Sequence, residues 1–458
     1  MQVGFSYDVA TKGFLDLKTG GITPLKPDEK PPSNSTVLPG TFSSQNPEST
    51  ANTTRNAARH FWNFMQVFSQ DFLKSHPTDG TMAIWAESFG GHYGPVFARF
   101  IQDQNARVQQ GSLPNAKVLN VTTVGIMNGC VDSSVEGTAR PEMAFDKNTY
   151  GIRFISQEER DAAQKAFDQK DGCREKLLKC DEIGRAKDPD QFGNNNEVNE
   201  ACSDADNFCF DQVDGAYFNQ TTQRATFDLT RCSLAGSPGN EYQQYLTQDR
   251  VLKALGVPVN MTDFSSTCQQ AFSSTGDGSR GKLDTLAPLL DSGVQVAMVY
   301  GDRDWICNWR GGERVSLAVK HNGADRFNRS GYTDVVIDGG QSVGQVRQHG
   351  LLSFTRVYQA SHFASFSQPK AAFSIFDRAM QRRDIATGRV PSSNDYSTNG
   401  SPESTTTFDT PEPVTPTCEL LGLSSTCSEN QIEAVENKTA KIEKGVIVSP
   451  QLAPGTCP

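Results

Sequence analysis

With 458 residues, 36% of them hydrophobic and 21% charged, the chain is long enough for one large core with additions or for two to three domains. Its net charge of -10 excludes nucleic acid and an anionic membrane surface as main partners, since neither attracts an acidic surface. No apolar run approaches the roughly eighteen residues that a membrane helix needs, so no membrane span is expected.

The opening MQVGFSYDVATKGF lacks a basic segment followed by an apolar stretch, so no signal peptide is visible. Between residues 53 and 73, Ala58, Phe61, Phe64, Met65 and Phe68 fall at helical spacing, which predicts an amphipathic helix with its apolar stripe in a core. After the loop SHPTDG, the run TMAIWAE predicts a strand that stops at Ser88, and Gly90 and Gly91 open a helix through PVFARFIQDQNARV. Strand, tight turn and helix is the setting of a nucleophile elbow, written GxSxG because the serine occupies a strained turn. Here Ala86 stands where the first glycine belongs. A second strand, KVLNVTTVGIMNG, closes a first region of residues 1–129, a partial hydrolase core.

Residues 130–285 are polar, turn-rich and Cys-rich, and predict an insertion that caps the scaffold. Five of the eleven cysteines, Cys173, Cys180, Cys202, Cys209 and Cys232, crowd this stretch without the CxxC pairs of a zinc site, so disulfides are the expectation. N-glycosylation sequons at Asn34, Asn52, Asn120, Asn219, Asn260, Asn328, Asn399 and Asn437 point the same way, to the secretory pathway, either secreted or in the vacuolar lumen. The segment Gly276 to Leu283 nearly fits the phosphate loop GxxxxGK[ST], but Leu283 has no hydroxyl for magnesium; it reads as a flexible, charged loop.

Strand character returns within residues 286–385 at GVQVAMVYGDRDW and LSFTRVYQASHF, each trailed by a helical pattern. Strands alternating with helices predict an α/β fold with a mostly parallel sheet. Residues 386–417, dense in Ser, Thr and Pro, predict a disordered stalk, and residues 418–458 form a tail holding Cys418, Cys427 and Cys457.

A serine hydroxyl needs a base to take its proton, and the base needs a carboxylate to hold its tautomer and stabilise the imidazolium. In α/β-hydrolases these groups follow strands in the chain order Ser, Asp/Glu, His. The sequence offers Ser88 after TMAIWAE, an aspartate in GDRDWICN, and His362 after FTRVYQAS. Asp302 is nearer the strand and suited to holding the loop's own N–H groups, whereas Asp304 extends further and is the candidate acid. The remaining histidines, including His60, His76, His321 and His349, show neither HExxH nor a close pair, and read as surface or structural residues. No metal and no cofactor is expected.

Around these residues the chain resembles the serine carboxypeptidase family, most of all its secreted fungal branch. AESFGGHYGP resembles GESYGGHY, VYGDRDWICNWRGG resembles YxGDxDxICNxxG, and SHFASFSQPKAAFSIFDRAM resembles GHMVPxxQPxxAxxxF; QVGFSYD and NGCVD resemble VGVGFSY and NGWxD. The resemblance spans about residues 1–385 and implies an α/β-hydrolase that releases C-terminal amino acids from peptides or proteins with a free C-terminus, through an acyl-enzyme and best in acid. It implies Ser88 as nucleophile, His362 as general base and then acid, Asp304 as its carboxylate, and the Phe89 backbone N–H as an oxyanion donor. It further implies that Glu87 binds the substrate carboxylate and that Cys307 is a free cysteine lining the pocket. Phe363, with Ala360, Ser361, Ala364 and Ser365, departs from the family's residues around the histidine and is expected to alter the pocket for the departing amino acid. The family's NGGPGCSS block, which would supply a second oxyanion N–H and the partner of Cys268, does not occur. That absence predicts a chain that begins within the pattern, lacks the early strands and is weakly active or inactive. An acyltransferase on the same fold and a non-catalytic secreted glycoprotein stay open as alternatives.

Overall fold

The computed structural model describes residues 2–75, 80–218, 224–235, 239, 241–412 and 414–452. Most of the SHPTDG loop with His76, the Asn219 sequon and Cys457 lie outside the described residues. The chain divides into two compact units, one built from residues 1–52, 221–274 and 411–458, the other from residues 53–220 and 275–410. This division differs from the linear one that composition predicts: the first fifty residues and part of the Cys-rich stretch join the C-terminal tail.

In the smaller unit, β1 (Thr11–Asp16) pairs antiparallel with both β2 (Ile22–Pro24) and β3 (Val37–Phe42). Leu17 packs with Leu423, Val435 and Ile447 and with the Cys418–Cys427 disulfide, so the tail belongs to a core. Cys268 is a half-buried free thiol in this unit.

The larger unit opens with the helix α1 (Thr54–Ser75), then β4 (Thr81–Glu87), α2 (Gly90–Gln109) and β5 (Asn120–Met127). The Cys-rich helices α3 (Gln157–Asp168), α4 (Cys173–Lys187) and α5 (Asn196–Cys209) follow. Disulfides Cys173–Cys209 and Cys180–Cys202 staple α4 to α5, over a small core that includes Phe167, Leu177 and Ala205. After α6 (Leu286–Asp291) come β6 (Gln295–Gly301), α7 (Trp309–Ala318), α8 (Ala324–Arg329), β7 (Thr333–Val336), β8 (Ser342–His349), β9 (Leu352–Val357) and α9 (Pro369–Met380).

These six strands form one sheet in the order β4-β5-β6-β9-β8-β7. The first four are parallel, and β8 and β7 run antiparallel at the far edge. Strand residues alternate between faces. Ala297 and Val299 therefore meet Ala371, Ile375 and Ala379 of α9 on one face, while Val296, Met298 and Tyr300 turn to the opposite face. A mostly parallel sheet with helices against it is the α/β-hydrolase architecture that the alternating pattern predicts.

Three expectations need correction. The stripe of α1 is not wholly in a core: Ala58 is buried and Phe61 stacks on Phe97 at 5.1 Å, but Phe64 is 59% exposed. The segment from 386 to 410 is no free stalk, because buried arginines of the sheet gather it. Arg356 of β9 bonds to Ser404 Oγ at 3.0 Å and Thr406 O at 2.7 Å, and Arg347 of β8 bonds to Pro402 O at 2.6 Å. Charge-assisted hydrogen bonds to backbone oxygens thus replace the apolar burial that its composition cannot supply. The loop at Gly276 to Leu283 is not a flexible surface loop either. Lys282 is 1% exposed, 3.0 Å from Gln191 Oε1 and 3.7 Å from Asp277 Oδ1, while Arg280 pairs with Asp188 at 2.7 Å.

Candidate active site

Ser88 follows β4, Asn128 follows β5, Asp304 lies in the loop after β6 and His362 in the loop after β9. Because these four strands are parallel and adjacent, their carboxyl ends bring all four residues to one edge of the sheet.

The nucleophile turn is built by local sterics. Ser88 has φ +64°, a left-handed conformation that costs a non-glycine residue free energy and marks a strained turn. Its carbonyl accepts from the N–H groups of Gly91 at 3.0 Å and Cys130 at 3.1 Å, which hold the turn closed. The replacement of glycine by Ala86 is accommodated at Gly90, where a side chain would stand 2.7 Å from the Ala86 methyl. At Gly91 an added carbon would lie 2.3 Å from the Cys130 carbonyl oxygen, so α2 can approach the β5 loop only without one. Phe89, just before α2, places its backbone N–H at the positive end of that helix.

His362 Nδ1 lies 2.8 Å from Asp304 Oδ2, and the two side chains are 1% and 0% exposed. Of the two competing aspartates, Asp304 is therefore the one that meets the imidazole. Asp302 accepts instead from Tyr150 Oη at 2.6 Å, Arg356 Nη2 at 3.0 Å and the N–H of Gln359 at 2.8 Å. It anchors the histidine loop rather than its own; burial pushes its carboxyl above the usual range against the pull of Arg356.

Burial works against a charged His362, but the charge and hydrogen bond of Asp304, aided by Glu87, outweigh it and raise its pKa above the ordinary value. Glu87 ends β4. Its carboxyl is raised by burial, lowered by His362 and raised again by Asp304, with a net shift upward. Phe363 is half-buried and sets its ring edge-on to the His362 ring at 5.2 Å, beside the base.

The expectation of a free Cys307 is overturned: Cys307 is joined to Cys130 by a disulfide with a Cα separation of 4.9 Å. The partner comes from NGCVD, where a cysteine occupies the tryptophan position of the NGWxD pattern. Cys130 also donates its N–H to the Ser88 carbonyl and accepts from His92 Nδ1 at 2.8 Å. A covalent link thus joins the loop after β5, which hydrogen-bonds the Ser88 turn, to the loop that holds Asp304.

Asn128 is a site residue that pattern reasoning missed. It is fully buried, its Nδ2 donates to Asp304 Oδ2 at 2.9 Å, and its Oδ1 accepts from Gly301 N at 3.0 Å. Together with the N–H of Ile306 on Oδ1 at 3.1 Å, it fixes the carboxylate that orients His362. The available signal was the Asn-Gly pair that ends the second strand.

Among the described residues no group of three or more His, Cys, Asp or Glu side chains could hold a metal ion. A strained serine turn, a buried imidazole–carboxylate pair and a helix N-terminus suit covalent acyl transfer.

Comparison with known proteins agrees with this chemistry. Residues 39–382 match the family model described as serine carboxypeptidase. The chain is 44% identical to a carboxypeptidase Y homolog of Arthroderma benhamiae, over 100% of this chain and 74% of that protein. It is 40% identical to a carboxypeptidase S1 homolog A of Arthroderma otae, over 98% of this chain and 70% of that one. A vacuolar serine-type carboxypeptidase of Saccharomyces cerevisiae is 26% identical over 70% of this chain and 59% of its own length.

Proposed function

The chain belongs to the serine carboxypeptidase family and is a serine-type exopeptidase of α/β-hydrolase fold; on that premise we propose how its residues divide the work. Ser88 Oγ attacks the carbonyl of the last peptide bond while His362 takes its proton, and the imidazolium then protonates the departing amino acid. Water, activated by the same imidazole, releases the acyl group from Ser88. Asp304 holds the tautomer through Nδ1 and stabilises the imidazolium, and the Phe89 N–H donates to the developing oxyanion. Glu87 reads the free carboxylate of the substrate, and Phe363 shapes the space for the residue that leaves. The observation that carries this reading is the buried His362–Asp304 pair at the same sheet edge as the left-handed turn of Ser88.

Glu87 and His362 make opposite demands on pH. A carboxyl must be protonated to donate to a carboxylate, which favours acid, whereas the base must be neutral, which favours pH above its raised pKa. The two demands are coupled: protonating Glu87 removes a negative charge that raises His362, so the imidazole loses its proton more readily. The pair thereby supports turnover in mild acid.

The disulfides and the exposed sequon asparagines Asn34, Asn120, Asn328, Asn399 and Asn437 support action in an oxidising lumen, secreted or vacuolar. No helix among the described residues is long and apolar enough to cross a membrane.

The test is to treat the protein with a fluorophosphonate, map the adduct, and assay a blocked dipeptide across pH 4 to 7. Labelling at Ser88 with release of the terminal amino acid is the expected result. A folded sample that neither labels nor turns over would overturn the assignment.

A further inference from the structure

At the amino end of the parallel strands, away from Ser88, lies a cavity of about 320 Å³. It is lined by His321 and Asp291, by Arg326 of α8, and by His349 and Gly350 at the turn from β8 to β9. The two histidines, 28 residues apart in sequence, converge: a side-chain carbon on Gly323 would lie 2.9 Å from His321 Cε1 and 3.0 Å from His349 Cδ2.

The hydrogen bonds leave the pocket rich in donors. The N–H of Gly323 donates to His321 Nδ1 at 3.1 Å, so the neutral ring carries its proton on Nε2. That Nε2 is buried without a hydrogen-bond partner, which leaves a polar group uncompensated at the wall of the cavity. His349 Nδ1 is tied to Ser397 Oγ at 2.7 Å. Arg326 is exposed, and its guanidinium forms no ion pair among the described residues. The carboxylate of the lining, Asp291, has Oδ1 committed to the N–H of Asn322 at 2.9 Å.

The charges oppose one another. Burial lowers the affinity of both imidazoles for protons; His349 lowers that of His321 further, and Arg326 that of His349. Asp291 and Asp395 offset this in part, at His321 and His349 respectively. Cationic groups that repel one another around an open space are relieved by an anion between them.

We propose that this cavity is a binding site for a phosphate group, inorganic or in a small monoester, held by His321, His349 and Arg326. Three donors on three separate elements suit an anion with several terminal oxygens. The volume exceeds that of the ion, and leaves room for the organic part of an ester. Binding strengthens as pH falls, since each imidazole that takes a proton adds a positive charge beside the cavity.

Isothermal titration calorimetry on the full chain tests this, with inorganic phosphate and phenyl phosphate at pH 5 and pH 7.5 against chloride of equal ionic strength. Saturable binding at pH 5 is expected, weaker by about tenfold at pH 7.5 and weaker by about tenfold in Arg326→Gln. Arg326 is exposed, so that variant keeps its fold, and its turnover of a blocked dipeptide should equal that of the parent. Tighter binding of the ester would assign the spare volume to its organic group; equal binding would assign the site to the phosphate alone. Absence of saturable heat at both pH values, or equal affinity in Arg326→Gln, would overturn the proposal.

Discussion

β6 and β9, whose loops deliver Asp304 and His362, are buried at every residue, whereas β4, which delivers Ser88, is fully buried at none. The cause is sheet order. β6 and β9 lie in the middle of the sheet between packed helices, while β4 is its end strand, with β5 as its strand neighbour among the described residues. The surroundings of β4 are correspondingly open. Trp85 packs on Phe376 at 4.9 Å, yet Phe373 and Phe376 of α9 are 68% and 40% exposed. Asp304 and His362 are therefore held by a core, and Ser88 by local devices: a left-handed turn, the Ala86–Gly90 fit and the hydrogen bonds and disulfide of Cys130.

Ser88→Ala or His362→Ala should produce the largest effect, a loss of about 10⁵-fold or more in kcat with the circular dichroism spectrum unchanged. Asp304→Asn should approach it at about 10⁴-fold, because the amide would no longer hold the imidazole tautomer. Persistent turnover of a blocked dipeptide by either class of variant would mean that another group performs the chemistry.

The Cys130 clamp offers a sharper contrast between the two regions. Cys130→Ser combined with Cys307→Ser should lower kcat about 10- to 100-fold by freeing the Ser88 turn, while the thermal midpoint shifts by only a few degrees. A thiol reagent should leave the native enzyme active and inactivate it only after reduction. Inactivation without reductant would restore the free Cys307. Asn128→Ala, which unties Asp304 alone, should cost about 1–3 kcal/mol in kcat/KM.

The pH dependence tests the coupling between strand ends. Glu87→Gln removes a charge that raises His362, so the acid limb of kcat should move to lower pH, and the sign of that move is the readout. KM should lose its rise toward neutral pH, because an amide donates to a carboxylate at any pH. A limb that stays in place would show that Glu87 does not sense the imidazole. The smallest effect belongs to the open edge: Phe373→Ser should change kcat less than about twofold and stability by under about 0.5 kcal/mol, since an exposed side chain has little packing to lose.

Much of the site was legible because each triad member follows a strand with its own apolar signature, and chain order restricts which residues can meet. The choice between Asp302 and Asp304 was less so, since both follow the same strand and only their partners, Arg356 and His362, separate them. The 386–410 segment was misread because its order depends on Arg347 and Arg356, distant in sequence and buried where composition gives no sign. His321 and His349 read as unrelated for the same reason, since the pairing of β8 with β9 and the loop after α7 bring them together.

What the sequence determined by itself was the alternation of strands and helices, the turn at Ser88 and the candidates for base and acid, because these rest on short-range periodicity and on residue chemistry. Only the tertiary structure decided that Cys307 is bonded to Cys130, that Asn128 grips Asp304, and that the nucleophile strand is the open edge of its sheet. Those facts depend on which elements lie side by side, and that is set by packing across more than a hundred residues of intervening chain.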